Sequence, residues 1–213
     1  MREKNVVEFY VLTNKLKYVI RKGWINWSVK KDRVESVAEH VYGVISLAIA
    51  MYSEYEYDID IKKVIYMLAV HELEEIIIGD LTSFEISSEE KEKIGHEAVE
   101  KILSNLLKKD EIKALVYEFD ERKTKEAMFA YHCDKLECDI QCKLYDEDNC
   151  VDPNNVTNSY EKSAIDKVKN GEATWSELWI EHDRPLFKDD ENFISILDYI
   201  KKNKLLWFVL FKF

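Results

Sequence analysis

Residues that break helices are rare in this chain. Of its 213 residues, five are glycine and two are proline. Glycine destabilises a helix interior by about 1 kcal/mol relative to alanine and proline by about 3 kcal/mol, so a chain with so few of them can sustain long helices. The turn pairs that form β-hairpins are almost absent. The composition therefore predicts an all-α fold, and the length fits a single domain with a substantial core.

The net charge and the apolar runs limit where this chain acts and on what. The net charge is -11, so a nucleic acid polymer would be repelled by the overall field. A small phosphorylated molecule is not excluded, because a bound cation and an arginine can neutralise a phosphate locally. The N-terminal segment lacks the apolar region of a secretory signal, and the run 205–211 is far shorter than the roughly 20 residues that span a bilayer. We expect a cytoplasmic protein with no membrane segment.

Capping signals divide the chain into helical segments. Ser36 and Glu39 form a capping box, which predicts a helix with His40 on its apolar face. Asp60 is expected to cap a helix that continues through His71 to Gly79. Residues 24–34 are polar, aromatic and irregular, which indicates a loop. Further helices are predicted at about 3–20, 87–108, 111–119, 122–145, 159–169, 174–182 and from Asp190.

Four side chains with the chemistry of metal ligands fall on these segments: His40, His71, Glu72 and Asp134. A single histidine on an apolar face is more often a hydrogen-bonded core residue. Asp134, however, lies within the apolar stripe of its helix, and burial of an unpaired carboxylate costs several kcal/mol. One shared divalent cation would compensate these acids together. Mixed nitrogen and oxygen ligands suit Mn, Co, Fe, Ni or Zn, and such an ion can activate water for hydrolysis.

Two further acids follow the histidine–glutamate doublet. Glu75 lies four residues after His71, one helical turn along the same face, and Asp80 comes directly after Gly79. Together they could deprotonate a water molecule and protonate a leaving oxygen, in an order that the sequence leaves open. The alternative is that they belong to a solvated acidic patch, since acidic side chains are common at surfaces.

Three motifs resemble one known family. ESVAEHVYGV, HELEEIIIGDL and DKLECDIQCKLY are similar to segments of the HD-domain phosphohydrolases, which bind metal through an H…HD…D pattern. The flanking residues look like the 5'-deoxynucleotidase branch, whose members remove phosphate from deoxyribonucleoside monophosphates. The resemblance covers about residues 16–146. It implies one HD-type helical domain over 1–213, with a motif-bearing core at about 16–146 and a helical extension at about 155–213.

The resemblance also assigns roles to individual residues. It implies that His40, His71, Glu72 and Asp134 bind the cation and that Glu75 and Asp80 are the catalytic acids. Arg21 and Trp24 look like the arginine and tryptophan that meet phosphate and sugar or base, and Arg33 is a second candidate for the phosphate contact. This implies a nucleotide substrate.

The doublet departs from the family pattern, because it is His-Glu rather than His-Asp. The extra methylene lengthens the reach of the ligand by about 1.5 Å. Altered metal preference, or a nonhydrolytic protein that binds nucleotide or metal, is therefore an alternative to the monophosphatase. Hydrolysis of nucleoside triphosphates or other phosphate esters is another, since fold does not fix the substrate.

The last residues of the chain are unusually aromatic. The segment 205–213 carries Trp207, Phe208, Phe211 and Phe213. Such a tail is expected either to be buried in a homodimer or to dock on its own chain.

Overall fold

The structure, a computed structural model, describes residues 1–30, 32, 34–151 and 162–205, without the side chains of 162–164. In these ranges the regular structure is helical apart from two isolated bridges, Ile20 with Ser36 and Val29 with Val151. The predicted all-α fold class is confirmed. The helices are α1 (Arg2–Thr13), α2 (Lys22–Asn26), α3 (Val37–Glu54), α4 (Ile61–Val70), α5 (Glu75–Ile78), α6 (Ser88–Leu103), α7 (Lys109–Glu121), α8 (Lys125–Glu147), α9 (Lys162–Lys169), α10 (Trp175–Asp183) and α11 (Glu191–Lys202), with 3₁₀ turns at Asn14–Lys17 and Arg184–Phe187.

The helix starts that carry local capping signals are where the sequence predicts them. The Ser36 hydroxyl accepts the Glu39 N–H, and the Glu39 carboxylate accepts the Ser36 N–H at 2.8 Å, which completes the capping box of α3. The side chains of Asp60, Ser87 and Asp190 likewise accept backbone N–H groups at the starts of α4, α6 and α11. These bonds satisfy donors that a helix start leaves without intrahelical partners.

The helix predicted at about 3–20 is shorter in the structure, since α1 ends at Thr13 and a 3₁₀ turn follows at Asn14–Lys17. Two further segments near the candidate site also differ from the sequence prediction. The helix that begins after Asp60 does not run unbroken to Gly79, because α4 ends at Val70 and α5 begins at Glu75. Between them the backbone makes i to i+3 bonds, such as Glu75 N–H to the Glu72 carbonyl at 3.3 Å. The expected loop at 24–34 begins in a helix, since α2 reaches Asn26. In both cases the structure depends on packing that local periodicity does not encode.

The chain divides into two compact units, 1–23 with 33–134 and 24–32 with 135–213. In the first unit α3 packs on α4, α4 on α7 and α6 on α7. Its core includes a cluster of buried apolar residues: Leu16, Val37, Val70, Leu73, Ile76, Val99, Ile102, Leu103, Ile112 and Val116. One domain over 1–213, with its helical extension, stays a prediction.

The second unit is built on aromatic side chains. Trp24 and Trp27 pack against Trp175 and Trp179, with ring centroids 5.2 to 6.1 Å apart. Phe187, in the 3₁₀ turn before α11, stacks on Phe193 of α11 with ring centroids 5.6 Å apart and an interplanar angle of 5°. Among the described residues, no helix has both the length and the apolar character that a bilayer crossing requires.

Candidate metal centre and its acidic neighbours

The first unit brings the four predicted metal ligands together. His40 comes from α3, His71 and Glu72 from the turn between α4 and α5, and Asp134 from α8. One ligand atom from each of the four lies within 4.8 Å of the others. His40 Nε2 is 2.9 Å from Asp134 Oδ1, and His71 Nε2 is 3.8 Å from the same oxygen. Three separate parts of the chain therefore converge on one small volume.

The hydrogen bond of His71 defines which ring nitrogen can bind a cation. His71 Nδ1 lies 2.7 Å from the Leu68 carbonyl oxygen, and since a carbonyl only accepts, Nδ1 carries the proton and donates. The lone pair of the neutral ring is then on Nε2. That atom is buried and has no hydrogen-bond partner among the described residues. Metal-binding histidines commonly donate their other ring N–H to a carbonyl or carboxylate in this way.

Glu72 reaches the same point despite its position next to His71. Its Oε1 lies 3.8 Å from the Nε2 atoms of both His40 and His71. Adjacent residues of a regular helix diverge by about 100°, which makes convergence of a doublet difficult. Here α4 has already ended at Val70, so His71 and Glu72 leave from a turn rather than from a continuous helix. Burial alone would raise the pKa of Glu72, but nearby basic groups, His71 first among them, lower the pKa overall.

Glu75 is the most deeply buried acid beside the candidate ligands. Its residue is 1% exposed, which excludes a place in a solvated acidic patch. Burial, then the charges of Glu72 and Asp80, raises the pKa of Glu75 to about 10. Burial and the charge of Glu72 also raise the pKa of Glu74 to about 8. A cation held by the neighbouring ligands would offset part of this repulsion.

Asp80 and Arg21 are positioned by the segment before α3. Val37 N–H donates to the Val19 carbonyl at 2.8 Å, and Arg21 N–H donates to the Glu35 carbonyl at 3.1 Å. This pairing places Arg21 Nη1 3.6 Å from Glu72 Oε1. The next backbone N–H, of Lys22, donates to Asp80 Oδ2 at 2.6 Å. This short strand-like pairing therefore positions both Arg21, the candidate phosphate-binding residue, and Asp80, one of the two candidate catalytic acids.

The geometry that supports Arg21 as a substrate contact does not extend to the other two predicted contacts, Trp24 and Arg33. Trp24 belongs to the second unit, is 2% exposed, and packs edge-on against Tyr145 at 5.4 Å as well as against the other tryptophans. The geometry supports a packing role for this ring, and stacking on a sugar or base stays a prediction. Arg33, the second candidate for the phosphate contact, lies outside the described residues.

Lys91 also lies beside these acids, although no motif in the sequence marks it. Its Nζ lies 3.4 Å from Glu75 Oε1, and its side chain is 31% exposed. Burial alone would lower the pKa of Lys91, but the surrounding acids, Glu72 and Glu75 first, raise it overall. In the sequence Lys91 is one of several charged residues after Ser87, so nothing but the packing of α6 on α5 distinguishes it.

The donor set fits a divalent cation. Two imidazole nitrogens and two carboxylates are the ligands expected for a transition metal such as Mn, Fe or Zn. The buried Nε2 of His71, which faces acidic oxygens without a hydrogen bond, is a further sign that a cation belongs there. An orphaned buried acceptor is costly unless a partner compensates it.

Comparisons with known proteins identify the family of this chain. Residues 13–177 match the family model of the HD domain. The chain is 32% identical over 151 residues to 5'-deoxynucleotidase HDDC2 of Dictyostelium discoideum, covering 67% of this chain and 78% of that protein. It is 30% identical over 165 residues to 5'-deoxynucleotidase HDDC2 of Bos taurus, covering 76% and 77% respectively.

A solved structure shows the same fold. The crystal structure of the PH0347 protein from Pyrococcus horikoshii OT3 aligns with a TM-score of 0.66 and 22% identity over 92% of this chain and 98% of that chain. The resemblance that the three sequence motifs indicate is thereby confirmed. The family model spans residues 13–177, and the two relatives are at least 30% identical to this chain over more than two thirds of both sequences. This chain therefore belongs to the HD-domain family.

Proposed function

We propose that this chain is a metal-dependent phosphohydrolase that removes phosphate from (deoxy)nucleoside 5'-monophosphates. The observation that carries the proposal is the buried Nε2 of His71, which has no hydrogen-bond partner among the described residues and lies 3.8 Å from an oxygen of both Glu72 and Asp134. The names of the relatives, 5'-deoxynucleotidases, support the substrate class.

His40, His71, Glu72 and Asp134 would hold one divalent transition-metal ion, either Mn, Co, Fe, Ni or Zn. When bound, such an ion supplies a Lewis acid that lowers the pKa of water and polarises a phosphoryl oxygen. His71 is oriented for this by its bond to the Leu68 carbonyl. The reach of Glu72 Oε1 to both imidazoles supports retention of the ligand set despite the longer side chain.

Glu75 and Asp80 would exchange protons with the reacting groups. The oxygen of the attacking water forms a bond to phosphorus, and one of the two acids accepts the water proton. The phosphorus–oxygen ester bond breaks, and the other acid donates a proton to the 5'-oxygen of the leaving nucleoside. The two acids are electrostatically linked, since the charge of Asp80 acts on Glu75. The order of the two roles is left open.

Arg21 would bind the phosphate. Its side chain is 16% exposed, and its guanidinium lies 3.6 Å from Glu72, so it adjoins the candidate metal centre and keeps some contact with solvent. A planar guanidinium can donate two parallel hydrogen bonds to phosphate oxygens, which would fix the orientation of the ester. Trp24 and Arg33 remain predicted substrate contacts.

The proposal is tested with metal-free wild type, Asp134→Asn and the exposed-residue control Asp189→Asn. Each is reconstituted with Mn, Co, Fe, Ni or Zn and given nucleoside monophosphates and triphosphates. Release of orthophosphate from monophosphates by wild type and Asp189→Asn, and its loss in Asp134→Asn, is the expected result. Background hydrolysis by all three proteins across the panel would contradict it.

The two alternatives give different products in the same assay. Pyrophosphate or tripolyphosphate released from triphosphates would identify a triphosphate hydrolase. A protein that takes up metal or nucleotide without turnover would be a binding protein, and Glu72→Asp then decides whether the doublet is the cause. Turnover by Glu72→Asp alone would make the glutamate responsible for the lost activity.

A cytoplasmic location and a homodimer are further parts of the proposal. Residues 206–213 of the aromatic tail lie outside the described residues. Light scattering of the full chain and of a variant lacking residues 205–213 tests the dimer. A dimer mass that falls to that of the monomer on deletion is expected if the tail is buried between two copies.

A further inference from the structure

Lys91 contacts one oxygen of a buried acid and leaves the other oxygen without a partner. Its Nζ lies 3.4 Å from Oε1 of Glu75, whose side chain has no solvent exposure. The second oxygen, Oε2, is buried and has no hydrogen-bond partner among the described residues. A carboxyl group contacted at one oxygen has a defined orientation, and its second oxygen keeps its hydrogen-bonding capacity unused.

The approach of α6 to the acidic turn depends on a glycine. A Cβ atom at Gly95, one helical turn beyond Lys91, would lie 3.2 Å from Cγ of Glu74. Few Cβ contacts are that short, so a side chain at 95 would require Glu74 or α6 to shift. Gly95 therefore allows α6 to lie close enough for Lys91 to reach Glu75.

The two cations near these acids contact different acids. Arg21 Nη1 is 3.6 Å from Oε1 of Glu72, a candidate metal ligand. Lys91 instead contacts Glu75, the candidate catalytic acid. The Lys91 side chain is 31% exposed, whereas that of Glu75 is fully buried, so their contact lies in a region of lower dielectric than bulk water, which strengthens it.

We propose that Lys91 is a positioning residue of the phosphohydrolase site, whose ammonium holds Oε1 of Glu75 so that Oε2 is directed toward the reacting groups. The proposal rests on the proposed function, because it needs Glu75 to exchange a proton during hydrolysis. Lys91 acts through Glu75 and does not itself touch the substrate.

Steady-state kinetics of Lys91→Met test this role. The variant keeps the length of the side chain but loses the ammonium, and we expect kcat to fall by about 10- to 100-fold, as when a group that orients a site residue is removed, while KM and bound metal stay nearly unchanged. Lys91→Arg should recover most of kcat because it keeps a cation. Lys93→Met, an exposed position on the same helix, is the matched control and should behave as wild type.

A double variant separates positioning from direct contact with the phosphate. In a Glu75→Gln background, Lys91→Met should cause no further loss of kcat, because the amide that replaces the carboxyl group can no longer exchange a proton. Losses that multiply, a raised KM in Lys91→Met, or a kcat equal to that of wild type would each overturn the proposal. If Lys91→Met does not fold, Lys91→Gln replaces it throughout.

A measurement that does not use turnover distinguishes failure of this proposal from failure of the proposed function. Absence of phosphate release by wild type would overturn the proposed function and with it the catalytic role of Lys91. The contact itself is then tested by thermal unfolding of Lys91→Met, Glu75→Gln and the double variant. If the contact holds Glu75, the double variant melts at a higher temperature than the sum of the two single shifts predicts; additive shifts would show that the two residues are not coupled.

Discussion

The two units of this protein differ in what they bury beside their aliphatic side chains. The first unit places ionisable groups in its interior, with His40, His71, Glu75 and Asp134 each 6% exposed or less. The second unit fills its interior with large rings, among them Trp24 and Trp175 at 3% or less. Burial of charge costs free energy of folding, whereas burial of aromatic surface supplies it. Substitutions of these ionisable groups should therefore affect chemistry more than stability, and substitutions of these rings should do the reverse.

The largest effect is expected for His71→Ala. Loss of this ligand should abolish metal binding and reduce phosphate release to background, because His40 is then left as the single imidazole among the candidate ligands, beside Glu72 and Asp134. The free energy of unfolding should fall by about 1 to 3 kcal/mol, because the buried ring no longer donates a hydrogen bond to the Leu68 carbonyl. Activity assays combined with urea unfolding check this, with the exposed His182→Ala as control. A variant that retains full turnover would contradict the assignment of the site.

Trp24→Ala should show the opposite pattern. Truncation of a buried tryptophan costs about 3 to 5 kcal/mol of stability, whereas kcat and KM of the folded fraction should be unchanged if the ring only packs. Trp24→Phe should lose less stability because it keeps an aromatic ring. Urea unfolding together with kinetics at low temperature measures both quantities. A raised KM in Trp24→Phe without loss of stability would instead favour the predicted stacking on sugar or base.

The contrast between the units also explains what the sequence could predict. Helix starts such as Ser36 and Asp60 are set by hydrogen bonds within three residues, so they are readable from local letters. The candidate ligands could be predicted because a polar side chain on the apolar face of a helix is buried and needs a partner that offsets the cost of its burial. The break between Val70 and Glu75 could not be predicted, because i to i+3 bonding there has no Gly or Pro signal and brings Glu72 to the imidazoles only through tertiary packing.

The environments of Trp24 and Lys91 likewise could not be predicted from the local sequence. A tryptophan in a polar segment resembles a ligand contact in the sequence, yet its burial depends on Trp175 and Trp179, about 150 residues away along the chain. Lys91 resembles an ordinary charge on a helix surface, yet the absence of a side chain at Gly95 brings its helix against the acidic turn. Neither relation has a local pattern.

Asp139 is an exception to this difference between the units, because it is a buried acid in the second, aromatic unit. It is 0% exposed, and neither of its carboxylate oxygens has a hydrogen-bond partner among the described residues. Burial, then the charge of Asp183, raises the pKa of Asp139 to about 9. Because the folded state then holds this proton more tightly than the unfolded state, the stability from the neutral acid is full below the ordinary value of 3.8 and is lost as the pH rises toward 9.

Asp139→Asn should remove that loss. The amide cannot ionise, so the variant should match wild type near pH 4 and exceed its stability at neutral pH, by a difference that grows by up to about 1.4 kcal/mol per pH unit within the window. Chemical unfolding at several pH values measures the difference. Parallel pH dependence in the two proteins would show that the carboxyl is compensated by a group such as Lys135.

The smallest effect is expected for Ser36→Ala at the start of α3. Loss of an N-cap costs about 1 kcal/mol, and because His40 is held four residues further on by tertiary packing, turnover should change little. Ser46→Ala is the control, since its hydroxyl bonds the Tyr42 carbonyl on the exposed side of the same helix. Thermal unfolding of both variants checks this. An equal shift in the two would mean that the capping box does not stabilise the helix start.

The central claim, that His40, His71, Glu72 and Asp134 hold a single cation, is tested most directly by calorimetric titration of metal-free protein with Mn²⁺. One ion per chain should bind wild type, and binding should be lost in Asp134→Ala while the exposed-residue control Asp189→Ala retains it. Absence of binding to wild type, or equal binding to Asp134→Ala, would contradict the account.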